Sequence, residues 1–468
     1  MEKSRLYQVF SQLTNKDIRR LRKFIASPFF NQREDLVQLL AFLADHISTS
    51  KSVPRKEDLF AHLYPGQKYD AQQVRLVMSL LYKLIAHYFA YEEFVASDVE
   101  VKTKLTTALR KREMIDYAQL SLKEAQNKLE KSTNRNASYY VSKYYLEIEQ
   151  FDIATLGKRN VKFNMQPISD SIDISFLANK LWQSSVAISH QNVSKVEYDF
   201  GLLPEVLAYV ENRPQLLEIP AIGIYYYCYM ALMNRDVEDY FQRFKSLIFR
   251  YGAQFPKEEI HGLYLLAINY CIRRLNDGFA AYAKEGLELY KSGLTENLLV
   301  QGGIISRFTY RNIVAMGILS GELPWVEQFM YDYKNALEKK YRESIFDFNL
   351  AKLEYTRKRY DLALSLIKKG VYKDLLLNLS AKALALKIYY ELEQFDTLDS
   401  HLQSMKAYLI RKKIIGYHRT NYLNLIKYAQ KLIELNQFDR TAKIALREAV
   451  LAEEPLLEKD WFLQQLKK

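Results

Sequence analysis

The residues best suited to chemistry in this chain are bases that gather within residues 403–428. The bases of this segment are Lys406, Arg411, Lys412, Lys413, Arg419 and Lys427. No Asp or Glu lies among them. Clustered ammonium and guanidinium groups attract phosphates and acidic protein surfaces. We therefore predict a surface patch that binds an acidic partner, while a solvated helix face that only improves solubility explains the same pattern equally well.

The sequence contains none of the motifs that mark a catalytic or cofactor site. It has no glycine-rich phosphate loop of the GxGxxG or GxxxxGK[ST] type and no GxSxG turn around a nucleophilic serine. The histidines are scattered singly, and Cys228 and Cys271 lie in apolar surroundings that predict two buried, free thiols. Adjacent acids such as Glu92 and Glu93 diverge on a helix. We expect no enzymatic activity, no cofactor and no bound metal.

Composition predicts a folded, all-α protein. The 468 residues include only 15 Gly and 10 Pro, too few for the many turns of a β-rich fold. We expect about 18–24 helices and no sheet larger than a hairpin. The longest apolar stretch, residues 221–233, is much shorter than the ~20 residues that span a bilayer, and it predicts a helix buried on all sides. The start shows no signal-peptide pattern, so we expect a cytoplasmic location and no membrane insertion.

A short phrase recurs along the chain: an apolar or aromatic residue, then Asp, and often Ala three residues after the first. It occurs at residues 115–118, 151–154, 360–363, 395–396 and 438–439. The steps from Asp116 to Asp152 and from Asp361 to Asp396 are close to the period of about 34 residues that paired-helix repeats show. Such a repeat predicts an α-solenoid, which presents a binding surface and not a catalytic pocket.

Residues 1–96 are predicted to form a separate N-terminal helical cluster. Thr14 and Asp17 have the spacing of a capping box, in which each side chain bonds the other residue's backbone N–H. Asn31 and Asp70 are predicted to cap the second and the fourth helix of this cluster.

Residues 97–468 are predicted to form an irregular α-solenoid of antiparallel helix pairs. The pairs differ in length, and we expect a longer loop at 157–173. A helix predicted at 455–468 carries Trp461 and would cap the last apolar face of the array, which a solenoid must cover.

Residues 348–367 resemble a tetratricopeptide repeat. The matching residues are Leu350, Ala351, Tyr355, Tyr360, Asp361, Ala363 and Ile367. The second helix of the motif is matched again by Ile115, Ala118, Leu122 and Ala125. The resemblance implies two antiparallel helices whose backbones approach closely where Ala363 is buried. In addition, the SPFFN segment at 27–31 is similar to one in bacterial proteins of about this length, which implies a bacterial origin and no particular activity.

Two functions follow from these patterns. The first is a non-enzymatic protein-binding scaffold or adaptor, whose helical-repeat surface holds a protein partner. The alternative is a nucleic-acid-associated protein that binds phosphates through basic patches without reading sequence. Residues 339–373 carry ten bases against four acids, and the alternative gains if these bases share one face with those of 403–428.

Overall fold

The computed structural model describes residues 1–49, 53–156, 162–194, 196–411, 416–436 and 438–467. Within these ranges the protein is all-α, with 23 α-helices, three short 3-10 helices and one two-stranded antiparallel hairpin. The predictions of an all-α fold, of its helix number and of nothing larger than a hairpin are therefore confirmed. Among the same residues, no helix has both the length and the apolar character needed to cross a membrane.

The helices up to residue 211 are α1 (Arg5–Phe10), α2 (Asn15–Ile25), α3 (Glu34–Thr49), α4 (Lys56–Leu63), α5 (Ala71–Ala96), α6 (Asp98–Arg110), α7 (Ile115–Lys131), α8 (Ala137–Thr155), α9 (Met165–Ser194) and α10 (Leu203–Glu211). The next helices are α11 (Pro220–Met233), α12 (Glu238–Tyr251), α13 (Lys257–Asn276), α14 (Tyr282–Thr295), α15 (Arg307–Leu319), α16 (Leu323–Asp332), α17 (Arg342–Thr356) and α18 (Tyr360–Lys369). The last helices are α19 (Leu375–Glu391), α20 (Phe395–Arg411), α21 (Tyr417–Glu434), α22 (Arg440–Ala452) and α23 (Lys459–Gln465). The hairpin joins β1 (Val300–Gln301) to β2 (Ile304–Ile305).

The chain divides into two units. The first comprises Met1–Ser184 and Phe200–Gly223, and the second comprises Ser185–Asp199 and Ile224–Lys468. The predicted boundary at residue 96 falls within the first unit, between α5 and α6, and the two-domain division at that point stays a prediction.

In the first unit, helices α1 to α5 enclose one hydrophobic core. Its fully buried leucines are Leu21, Leu39, Leu40, Leu43, Leu59 and Leu81. Thr14 and Asp17 form the predicted capping box, and Asp70 accepts bonds from the first backbone N–H groups of α5. The prediction that Asn31 caps a helix was wrong, because α3 begins later, at Glu34. The side-chain amide of Asn31 instead donates hydrogen bonds to the backbone carbonyls of Ile25 and Arg33 and shapes the connecting turn.

Six helices end in the same reversal of the chain. After α6, α13, α14, α15, α17 and α19, one residue adopts a positive φ, and the next backbone N–H bonds a carbonyl five residues back. At the end of α17, Lys358 has φ 60°, and the N–H of Arg359 lies 2.9 Å from the Glu354 carbonyl oxygen. This bond satisfies a carbonyl that the helix end would otherwise leave free.

The recurrent sequence phrase marks the helix that follows such a reversal at three of its five sites. Ile115, Tyr360 and Phe395 each begin a helix two residues after the positive-φ residue. The Asp that follows each of them lies in the first helical turn, where its negative charge is favoured by the helix dipole. At these sites the phrase is therefore a helix-start signal.

At the other two sites the phrase has a different role. Residues 151–154 lie inside α8, and the Asp152 carboxylate forms an ion pair with Arg110 at 2.7 Å, so the predicted repeat step from Asp116 to Asp152 was wrong. Asp439 is the N-cap of α22, and its carboxylate accepts a bond from the Ala442 N–H. The predicted loop at 157–173 was also wrong from Met165 onward, where α9 begins, and its residues 157–161 lie outside the described residues.

Small residues lie where consecutive helices approach most closely. Ala363 of α18 is fully buried, as predicted from the tetratricopeptide resemblance, and α18 packs on α17. Gly317 of α15 has the same role, because a Cβ atom there would lie 2.2 Å from Cγ2 of Val326 on α16. Close packing of these helices therefore excludes larger side chains at both positions.

The carboxylate of Glu391, at the end of α19, helps to hold the C-terminal helix. This carboxylate accepts hydrogen bonds from the Tyr355 hydroxyl, from the Tyr360 hydroxyl at 2.5 Å and from the Trp461 indole N–H at 2.8 Å. Trp461 is buried, as predicted, but its helix begins at Lys459 and not at residue 455.

Buried aromatic and thiol side chains fill the second unit around α11. Residues Tyr225, Tyr226 and Tyr227 are all buried although they point to different sides of the helix. Cys228 and Cys271 are buried and free, as predicted, and burial raises the pKa of the Cys228 thiol to about 12. The tyrosine run is therefore core material and not a recognition surface.

Replacement of Ala363 by Phe should overpack the contact between α17 and α18. We expect Ala363→Phe to lower the free energy of unfolding by about 1–3 kcal/mol, measured by urea denaturation. The matched control is Leu362→Phe, since Leu362 is 46% exposed on the same helix. Equal midpoints for the two variants would show that Ala363 does not mark a tight helix contact.

Removal of the Trp461 side chain should loosen the C-terminal helix. We expect Trp461→Ala to cost roughly 3–5 kcal/mol, because the ring is buried and its N–H bonds Glu391. Trp182→Ala is the control with the same chemical change, since Trp182 is 43% exposed. Limited proteolysis should then cut Trp461→Ala first near its C-terminus, and a protected C-terminus in that variant would contradict the anchoring role of Trp461.

Candidate functional site

The described bases of the predicted basic segment lie on α20 and α21. Lys406 and Arg411 on α20 and Arg419 on α21 are exposed. Arg411 ends α20 and Arg419 lies in the first turn of α21, so both flank the same connection. Lys412 and Lys413 lie outside the described residues. We refer to Lys406, Arg411 and Arg419 as the basic surface.

Lys427, the last predicted member, has a partner of its own. Its ammonium group lies 2.9 Å from the Glu453 carboxylate, and this hydrogen bond raises the pKa of Lys427. Its charge is therefore partly neutralised within the protein. The apolar residues predicted to pack this helix pair are buried, and they are Met405, Leu409, Tyr422, Leu425 and Ile426. Packing thus uses the apolar positions and leaves the bases of the basic surface in solvent.

Several bases of residues 339–373 bond other groups of the protein itself. Arg342 donates to the backbone carbonyls of Asn335 and Leu337. Arg357 and Arg359 both pair with the buried carboxylate of Glu354. Three of the ten bases in this segment are therefore used to hold its own fold.

A fourth base of that segment, Lys352, lines a cavity within the second unit. The cavity has a volume of about 320 Å³ and lies where α15, α17, α19 and α21 meet the turn before α23. Three cationic side chains from three different helices reach it: Arg311 from α15, Lys352 from α17 and Lys387 from α19. We call it the cation cavity. Glu458, in the turn before α23, contributes the one carboxylate among its lining residues.

The three cations of this cavity are held in different ways. The Lys387 ammonium group lies 2.7 Å from the Glu458 carboxylate and 4.7 Å from the centre of the Tyr355 ring. The guanidinium of Arg311 lies 5.9 Å from the centre of the Phe348 ring. Neither Arg311 nor Lys352 has a carboxylate within ion-pair distance among the residues that the structure describes.

Their surroundings disfavour the charged forms of both groups. Desolvation lowers the pKa of Lys352 to about 8; the charge of Glu458 opposes this shift, and the positive charges of Arg311 and Lys387 add to it. Desolvation likewise lowers the pKa of Arg311. The negative charge of Asp374 opposes the shift of Arg311 but does not cancel it. Holding two half-buried cations without a direct ion pair is costly, because partial burial removes the water that would solvate them.

Sequence reasoning missed this cavity because its residues come from four separate helices. Lys352 was counted only as one base of a charged segment, and Arg311 and Lys387 were not singled out. The available signal was the presence of bases on each of the three alternate helices α15, α17 and α19, a pattern that becomes informative only when the packing order of the helices is known.

Replacement of Lys352 by Met should stabilise the protein at neutral pH. The folded-state pKa of Lys352 is about 8 against the usual lysine value of 10.5, so the unfolded chain holds the proton more tightly. The contribution of Lys352 to the free energy of unfolding is therefore least favourable below pH 8 and rises between pH 8 and 10.5. We expect Lys352→Met to gain on the order of 1–3 kcal/mol at pH 7 and to lack that rise, measured by urea denaturation at several pH values.

Lys284→Met is the control for this prediction, because Lys284 is exposed on α14. Its unfolding free energy should differ little from that of the unchanged protein at each pH. A loss of stability in Lys352→Met at pH 7 would mean that Lys352 stabilises the fold.

The chain matches no protein-family model, and no curated protein or solved structure is significantly similar to it. The resemblance to tetratricopeptide repeats and the similarity of residues 27–31 to a segment of bacterial proteins therefore stay predictions.

Proposed function

We propose that this chain is a non-enzymatic protein-binding scaffold that holds an acidic protein partner on its basic surface. One observation carries the proposal. Lys406, Arg411 and Arg419 are exposed, and none of them forms an ion pair with another described residue. Such charges contribute little to folding but increase the rate and specificity of association with a surface of opposite charge.

The helical architecture supports this proposal. Consecutive helices pack in pairs, among them α13 with α14, α17 with α18 and α19 with α20. In α20 and α21 the residues needed for packing are apolar, so the bases are free for another use. A tetratricopeptide-like solenoid, a bacterial origin and a cytoplasmic location form part of the same proposal.

Nucleic-acid binding is the alternative. It needs a row of bases that follows a phosphate backbone. Arg342, Arg357 and Arg359 instead bond carbonyls and carboxylates of the protein itself. The bases of residues 339–373 thus offer less free charge than their number suggests, which favours the protein partner.

Reversal of the basic surface tests the proposal. The variant Lys406→Glu, Arg411→Glu, Arg419→Glu should unfold at nearly the same urea concentration as the unchanged protein, since exposed charges contribute little to stability. Its capture of protein partners from native lysate should fall, and capture by the unchanged protein should weaken with added salt. Nuclease treatment of the lysate should change neither result.

A charge-matched control separates the effect of the basic surface on partner capture from the effect of the overall charge. The triple reversal Lys257→Glu, Lys284→Glu, Lys339→Glu changes three exposed bases elsewhere in the second unit. It should retain the partners. Equal losses in the two variants would reject a local site, and a loss that depends on nuclease would favour the nucleic-acid alternative.

A further inference from the structure

The cation cavity has a charge that the protein does not balance. Arg311, Lys352 and Lys387 bring three positive charges to its wall, and Glu458 brings one negative charge. The Glu458 carboxylate pairs directly with Lys387, so Arg311 and Lys352 are the lining cations without an ion pair, although Asp374 and Glu458 act on them from beyond ion-pair distance. The cavity therefore carries a net charge of about +2 when Lys352 is protonated.

These cations are not explained by stability. A half-buried base without a partner lowers stability, and an apolar residue of similar volume would cost less. The neighbouring lining positions Ile318, Leu319 and Leu384 are apolar, so the same wall accommodates such residues. A site that retains two uncompensated cations beside apolar residues is arranged for an anion that supplies the missing charge.

The size of that charge selects the class of anion. A carboxylate carries one negative charge and would leave one cation unbalanced, whereas a phosphate monoester carries about −1.5 to −2 at pH 7. Arg and Lys from different helices can surround the oxygens of a phosphate, the Arg through its fork of N–H groups and the Lys as a point charge. The hydroxyls of Ser380 and Tyr422 lie 3.3 Å apart at the cavity wall, and the Ser380 hydroxyl donates to the Leu376 carbonyl, so these two groups add polar surface to the wall while the charged donors are Arg311 and Lys352.

The rest of the wall limits what is attached to the phosphate. Phe348 and Leu384 contribute apolar surface, and the volume of about 320 Å³ is at the lower end for small-molecule sites. We infer that the cation cavity binds a small molecule carrying a phosphate monoester, with its phosphate between Arg311 and Lys352 and its organic part against the apolar wall. This site is distinct from the basic surface, and the inference does not depend on the protein partner proposed there.

Calorimetric titration of the full chain with matched ligands tests the inference. Phenyl phosphate and benzoate share a ring and differ in their anionic group, so the unchanged protein should bind phenyl phosphate at one site and benzoate about ten-fold more weakly or not at all. Glycerol 3-phosphate and inorganic phosphate, titrated in parallel, show how much the organic part contributes.

Three variants locate the binding site. Lys352→Met and Arg311→Met should each weaken phenyl phosphate binding about ten-fold or more, since each removes a charge-assisted hydrogen bond. Lys382→Met is the matched control, because Lys382 is half-buried on α19 but does not line the cavity. It should change the affinity by less than about two-fold. Circular dichroism of each variant verifies that the helices are intact.

Several results would overturn the inference. These are the absence of binding of every phosphate ligand by the unchanged protein, equal affinity for benzoate and phenyl phosphate, or an equal loss in Lys382→Met. A phosphotyrosine peptide is a further arm, and binding of the peptide without binding of any small phosphate monoester would assign the cavity to a modified protein partner instead. Retained affinity in both Lys352→Met and Arg311→Met would place the bound phosphate elsewhere.

Discussion

The structure depends on how its helices end. A helix leaves its last carbonyl groups without partners, and a chain of many short helices meets this problem repeatedly. Six helices of this protein solve it with one positive-φ residue and a backbone bond to a carbonyl five residues back. Because this reversal is short, the next helix must return along the one before it. Close helix contacts, and the buried small residues Gly317 and Ala363 that allow them, follow from that constraint.

The same constraint determines which side chains meet in the cation cavity. When each pair of helices reverses in a few residues, every second helix lies on the same side of the local packing. The cavity is lined by α15, α17, α19 and α21, which are alternate helices. Arg311, Lys352 and Lys387 are far apart in sequence but converge because each lies on one of these helices. The convergence of these three cations is thus a product of the turn geometry.

Signals from neighbouring residues predicted much of this fold, whereas contacts between residues far apart in sequence could not be predicted. The all-α class followed from the few Gly and Pro residues, and the capping roles of Thr14, Asp17 and Asp70 followed from short spacings. The phrase at residues 151–154 has the same pattern as the phrases that begin helices, so it gave a wrong repeat step. Its Asp152 instead pairs with Arg110, which is distant in sequence. Reversals at Glu113, Lys358 and Glu393 have no Gly or Asn to announce them. The cavity was invisible for the same reason, since no window of sequence contains its members.

The C-terminal segment links a local backbone conformation to the wall of the distant cation cavity. Glu458 adopts a left-handed conformation with φ 59°, which is unfavourable for a non-glycine residue by about 1–2 kcal/mol. Its carboxylate holds Lys387 at the cavity, and the helix that it begins carries Trp461 to Glu391. Glu391 also holds the hydroxyl of Tyr355, whose ring lies beside Lys387. One wall of the cavity is therefore fixed through two carboxylates, so the last helix, far in sequence from Arg311 and Lys352, positions the third cation that faces them.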